Sequence, residues 1–197
     1  MRFPQGFVAF AICAAALTAA QAQTASFVPE QHGPGTAPAP MSFSFDALHG
    51  QIAASGVQLK PMSTKRAAGL APTTGTIQVT INVKIVSGFQ SGTTYHCSLY
   101  AVGGAIDPAT LQIDGGIETA ATFAVPSGPG TVACTMTIPY EWTLPSGRGT
   151  DSGVILAFGV GAINPQGEAQ RSTLQVDGIE ALPANGATDK FAFDVTL

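Results

Sequence analysis

Apolar and polar residues alternate along most of the chain after Gly75. Ile77, Val79, Ile81, Val83 and Ile85 fall on one side of the stretch Thr76 to Ile85, with polar residues between them. A period of two places alternate side chains on opposite faces of a strand, so this is a half-buried β-strand. The same pattern predicts strands at Thr94–Val102, Ile117–Val125, Thr131–Ile138, Leu174–Ile179 and Phe191–Leu197. Val154 to Ala162 is apolar on both sides and is expected at the centre of a sheet. Gly, Pro and Asp separate these runs, and no segment keeps a helical period over three turns. Short, evenly spaced strands predict an all-β fold, an immunoglobulin-like β-sandwich over residues 75–197.

Residues 23–74 read differently. Pro29, Pro34, Pro38, Pro40, Pro61 and Pro72 are spread among Ala, Ser, Thr and Gly. Such a composition buries too little to offset its ordering entropy, which predicts a mostly disordered leader. One stretch stands out. Residues 42–47 alternate, with Phe43 and Phe45 on one side, and predict a strand that docks on the domain or on another copy of it.

The domain also reads as one unit repeated, 75–128 and 130–197. Leu111-Gln112-Ile113-Asp114-Gly115-Gly116-Ile117-Glu118 recurs as Leu174-Gln175-Val176-Asp177-Gly178-Ile179-Glu180. Tyr100-Ala101-Val102-Gly103 recurs as Phe158-Gly159-Val160-Gly161, and Gly75-Thr76-Ile77 as Gly130-Thr131-Val132. Duplication predicts a sandwich whose halves are related by a pseudo-two-fold axis.

The first residues change the setting. Arg2 precedes an apolar run from Gly6 to Ala20, and Ala20-Gln21-Ala22 is a small-residue cleavage motif. Residues 1–22 are therefore expected to be a signal peptide, cleaved before Gln23. The run is shorter than the roughly 20 residues that span a bilayer, so no stable membrane span is expected afterwards. Export is to the periplasm or beyond. Removing residues 1–22 takes Cys13, leaving Cys97 and Cys134. An even count in an oxidising compartment predicts a disulfide between them, stapling one repeat to the other. Val79 and Val154 are then the expected apolar counterpart of that bridge. Losing Arg2 also moves the formal net charge from −4 to −5. An acidic chain with 10% charged residues lacks the basic surface that nucleic acid or an anionic membrane requires.

Candidate chemistry is sparse. Asp151-Ser152-Gly153 resembles the Asp-Thr/Ser-Gly triplet of aspartic proteases. Those enzymes need two such carboxylates, and the matching position in the first repeat is Ser91-Gly92-Thr93. A dimeric hydrolase using Asp151 is thus a remote alternative, and a strand-leading turn is favoured. His32 and His49 lie in the leader, while His96 is expected on the outward, solvated face. No metal motif with paired His or Cys is present. Asp114, Glu118, Asp177 and Glu180 stand on repeated Asp-Gly words and could supply oxygens to calcium, although Asp-Gly is also ordinary hairpin-turn chemistry. Tyr100, read as outward, and Trp142 are the aromatic residues that could meet a carbohydrate; Tyr140 and Trp142 also suit a core plug. No cofactor is expected.

The expected function is an exported, non-catalytic β-domain with a structural, adhesive or assembly role. The alternative is a module binding carbohydrate or calcium. In one version residues 42–47 are lent to a neighbour by β-augmentation. The combination of sandwich, disulfide and amino-terminal donor strand resembles chaperone-assembled pilins, in architecture alone.

Overall fold

The long alternating runs all form strands, and most extend further than their alternation. In a computed structural model that describes residues 22–27, 40–59, 72–86, 88–106, 112–125, 130–143 and 151–197, the chain is all-β. Its strands are β1 (Gln23–Phe27), β2 (Met41–Asp46), β3 (Gln51–Ser55), β4 (Gln58–Leu59), β5 (Thr73–Lys84), β6 (Thr94–Ile106), β7 (Gln112–Ala124), β8 (Thr131–Trp142), β9 (Asp151–Ile163), β10 (Ala169–Ala181) and β11 (Thr188–Thr196). The signal-peptide expectation falls on residues 1–21, outside the described residues, and on Ala22.

The strands form three sheets. The central one has the order β10-β9-β6-β7-β4, and the flanking ones are β11-β5-β8 and β1-β2-β3. Pairing is antiparallel except for β11 on β5 and β4 on β7. Alternation shows how the layers stack. Tyr95, Cys97, Leu99 and Ala101 of β6 join a core with β5, β8 and β11, whereas Tyr100 and Val102 join a second core with β2. Neighbouring residues of one strand point to opposite faces. The β11-β5-β8 sheet therefore covers one face of the central sheet and the β1-β2-β3 sheet covers the other.

This layering accounts for β9. Its Val154, Leu156, Phe158, Val160 and Ala162 enter the first core, and Ile155 and Ala157 the second. An antiparallel strand usually alternates because one face meets water. Here neither face does.

The leader departs from its expectation where it is described. Residues 23–27, 41–46, 51–55 and 58–59 are strands, and Met41, Phe43 and Phe45 are completely enclosed. The alternation from 42 to 47 was a signal of burial. Burial of these three large side chains, roughly 1.5–3 kcal/mol each, contributes part of what offsets the ordering entropy.

The repeated Asp-Gly words are not hairpin turns. Asp114-Gly115-Gly116 runs inside β7, and Asp177-Gly178 lies in a bulged part of β10. Glycine serves close approach at the first of these. Gly116 pairs with Gly103, and the Trp142 indole lies over both: a Cβ on Gly116 would stand 2.5 Å from the indole nitrogen, and one on Gly103 2.8 Å from the ring. Tyr140 packs 4.4 Å from Trp142, centroid to centroid, and donates to the Pro183 carbonyl at 3.2 Å. Gly116→Ala should cost about 1–3 kcal/mol, the usual penalty for overpacking. A urea titration followed by Trp142 fluorescence measures it directly, because the chain has a single tryptophan.

Cys97 of β6 and Cys134 of β8 form a disulfide, with Cα atoms 6.3 Å apart. It ties the central sheet to the β11-β5-β8 sheet inside the first core. Val79 and Val154 are both fully buried in that same core.

Candidate functional site: the seam beneath the amino-terminal sheet

The β1-β2-β3 sheet comes from the leader alone, and it meets the central sheet along an apolar seam. β2 supplies the ridge: Met41, Phe43, Phe45 and then Ala47 in the turn that follows, one from every second position. The central sheet supplies Tyr100 and Val102 from β6, Ile113 from β7, Ile155 and Ala157 from β9, and Leu174 from β10.

Two glycines shape the receiving surface. A Cβ on Gly159 would lie 2.7 Å from the Phe45 ring, and one on Gly161 2.6 Å from the Ala47 Cβ. Neither separation is possible between real carbon atoms, so only glycine admits β2 at this depth. They are two residues apart on β9 and so share one face. Glycine inside a strand often marks close approach of another chain segment, and the alternating Gly159-Val160-Gly161 was the signal that could have revealed the notch.

The turn after β2 is fixed by polar contacts. Asp46 Oδ1 accepts from the Leu48 and His49 amides at 3.0 and 3.2 Å, and Oδ2 lies 2.6 Å from His49 Nδ1. Hydrogen bonding to His49 holds the Asp46 carboxyl below its usual range. Beneath the turn, the Ser98 hydroxyl donates to the Gly50 carbonyl at 2.7 Å in a buried position. His96 also lies here rather than on a solvated face. Its Nδ1 is buried without a hydrogen-bond partner, and the Phe123 ring stands edge-on at 4.0 Å.

Burial lowers the His96 pKa from its ordinary value, since the charged imidazolium would be poorly solvated. The neutral form is therefore the one that suits the docked sheet. The contribution is intact above the unfolded pKa near 6.5 and is lost as pH falls through the lower folded value. Thermal stability should decline as pH falls below about 6.5, the unfolded value. His96→Gln should flatten that decline, read as the melting temperature of each protein above and below that pH.

The residues singled out from sequence fall in separate places. Tyr100 is 8% exposed and meets Phe43 edge-on at 5.8 Å, so it faces the seam rather than solvent. Trp142 is 4% exposed, and its place is the core plug. Neither offers a ring face to a sugar. Asp114 and Glu118 lie on β7 and Asp177 and Glu180 on β10, with β6 and β9 between those strands. The four carboxylates are not gathered. Among the described residues, no group of three or more His, Cys, Asp or Glu could hold a metal ion. Glu118 does line a groove of about 520 Å³ with Glu141, Tyr140 and Gly75. Asp151 opens β9 opposite Ile106, so its backbone is strand and not turn. No helix among the described residues is long and apolar enough to cross a membrane.

No family model, curated protein or solved structure matches this chain.

Proposed function

We propose that the chain is an exported, non-catalytic β-module of the cell envelope or extracellular space, with an assembly role. The observation that carries this reading is the seam. A separate amino-terminal sheet closes a face of the domain through apolar packing shaped by Gly159 and Gly161, and the polar side chains at its end, Asp46, His49 and Ser98, hold the turn after β2. Among the described residues no strand ladder joins β1-β2-β3 to the central sheet; the leader's ladder onto that sheet is β4, at Gln58 and Leu59. A layer held by side-chain packing more than by a ladder is suited to strand-based association. Export is supported by the Arg2 and Gly6–Ala20 pattern, by the buried disulfide, and by β1 starting at Gln23, the residue that cleavage would expose.

Within this reading, residues 75–197 are an immunoglobulin-like sandwich that arose by duplication. The strand order favours it: β6 adjoins β9, β5 adjoins β8, and β7 and β10 lie outside them, as a two-fold axis would arrange. The third matched segment is displaced. Thr119 stands opposite Tyr100, but the partner of Phe158 is Gln175 and not Ala181, where the repeat would place it. The bulges of β10 go with that slip.

Cell fractionation followed by intact mass tests the proposal. The expected product begins at Gln23, carries no free thiol and leaves the cytosol. A cytosolic product that retains Met1 and two reduced cysteines at 97 and 134 would overturn it.

A further inference from the structure

We infer that β7 is an edge through which two copies of this chain pair, antiparallel and centred on Ala120. This deepens the assembly reading and rests on it. β7 is flanked by β6 on one side and, among the described residues, on the other only by the two residues of β4, at Gln112 and Ile113. From Gly116 to Ala124 its outer edge has no backbone partner among the described residues. Ala120 and Ala124 turn inward to the first core. The opposite face presents Ile117, Thr119, Ala121 and Phe123, followed by Val125. Ile117 is 36%, Phe123 70% and Val125 68% exposed.

An open edge of this kind is normally guarded by charge, proline or a bulge. The other margin strands of the central and β11-β5-β8 sheets are guarded. β10 carries Arg171, Asp177 and Glu180 with two register shifts, β8 carries Pro139 and Glu141, and β11 carries Asp189, Lys190 and Asp194. Between Gly116 and Val125, β7 has Glu118 as its only charge and neither proline nor bulge.

The occupant follows from the strand's own complementarity. With Ala120 facing Ala120, Ile117 of each copy lies opposite Phe123 of the other, and Thr119 opposite Ala121. Glu118 lies opposite Thr122, so the charged residue never meets its counterpart. Apolar cross-strand pairs favour this register, and like charges directly opposite are avoided.

Sedimentation of the mature, disulfide-bonded chain across the micromolar range tests the pairing. A reversible dimer is expected. Thr122→Lys, which sets a cation opposite Glu118 twice per dimer, should tighten it roughly tenfold, and Thr122→Glu should weaken it by a similar factor. Thr119→Cys combined with Ala121→Cys should oxidise to a covalent dimer, while each single variant should not. Unchanged Trp142 fluorescence and melting temperature establish that the variants fold. A folded chain that stays monomeric throughout, or that answers Thr122→Lys and Thr122→Glu alike, overturns the pairing. If the protein is nevertheless exported from Gln23, the broader assembly reading survives; a reduced, uncleaved cytosolic chain would remove both.

Discussion

Gly159→Val should lift the amino-terminal sheet from the protein while leaving the disulfide-stapled core folded. The Phe45 ring lies where the new side chain must go, with even a Cβ at 2.7 Å, and Phe45 is itself enclosed. Neither partner can yield. β9 is paired on both sides, by β6 and β10, so its backbone is fixed. Phe45 belongs to the central strand of its sheet and sits between Met41, Phe43 and Ala47 in the seam. The least costly response is undocking, which forfeits burial of Met41, Phe43 and Phe45, roughly 1.5–3 kcal/mol for each. Limited proteolysis should then cut within residues 41–55 of the variant and spare the wild type. Trp142 fluorescence should be unchanged, because the indole lies in the opposite core. Phe45→Ala removes the same contact from the other side and should cost about 3–5 kcal/mol.

The second large effect is loss of the disulfide. Cys97 and Cys134 are 37 residues apart in sequence, and closing a loop of that length stabilises the folded state by about 4 kcal/mol on the chain-entropy model. Both residues are buried within the first core, so a serine pair would add the cost of two hydroxyls without assured partners. Replacement by alanine is the milder change. The Cys97→Ala, Cys134→Ala protein should melt on the order of 10 °C lower than the oxidised wild type. Calorimetry of both proteins measures this, and reduction of the wild type should reproduce most of the shift.

Much of the fold was legible because a period of two is a strong local signal. The alternation of β5 and β8 named their inward faces, and the cysteine count named the bridge. β9 announced two buried faces, but not that the leader supplies the cover for one of them. Composition hid this: Pro, Ala, Ser and Thr around Phe43 and Phe45 dilute the average, while burial depends on which positions are apolar. His96 and Tyr100 were misread for the same reason. Both alternate away from Cys97, and in a two-layer fold away from one core means toward solvent. In a three-layer arrangement it means toward the second core. The Asp-Gly words misled in another way. In the first, Gly115 and Gly116 serve the narrow approach of β6 to β7 and the Trp142 plug, so a common turn motif lies within a strand; a Cβ on Gly178 of the second would meet nothing. The seam's notch at Gly159 and Gly161 could have been noticed, but its occupant is distant in sequence and only the fold brings Phe45 and Ala47 to it.

The leader's own β1-β2-β3 sheet covers the second face of the central sheet. Hydrogen exchange on the mature, oxidised protein tests it most directly. Amides of Met41–Asp46 should be protected far beyond an unstructured chain, and Gly159→Val should abolish that protection while β5 and β8 keep theirs. Exchange of residues 41–46 at unstructured rates in the wild-type protein would contradict the account.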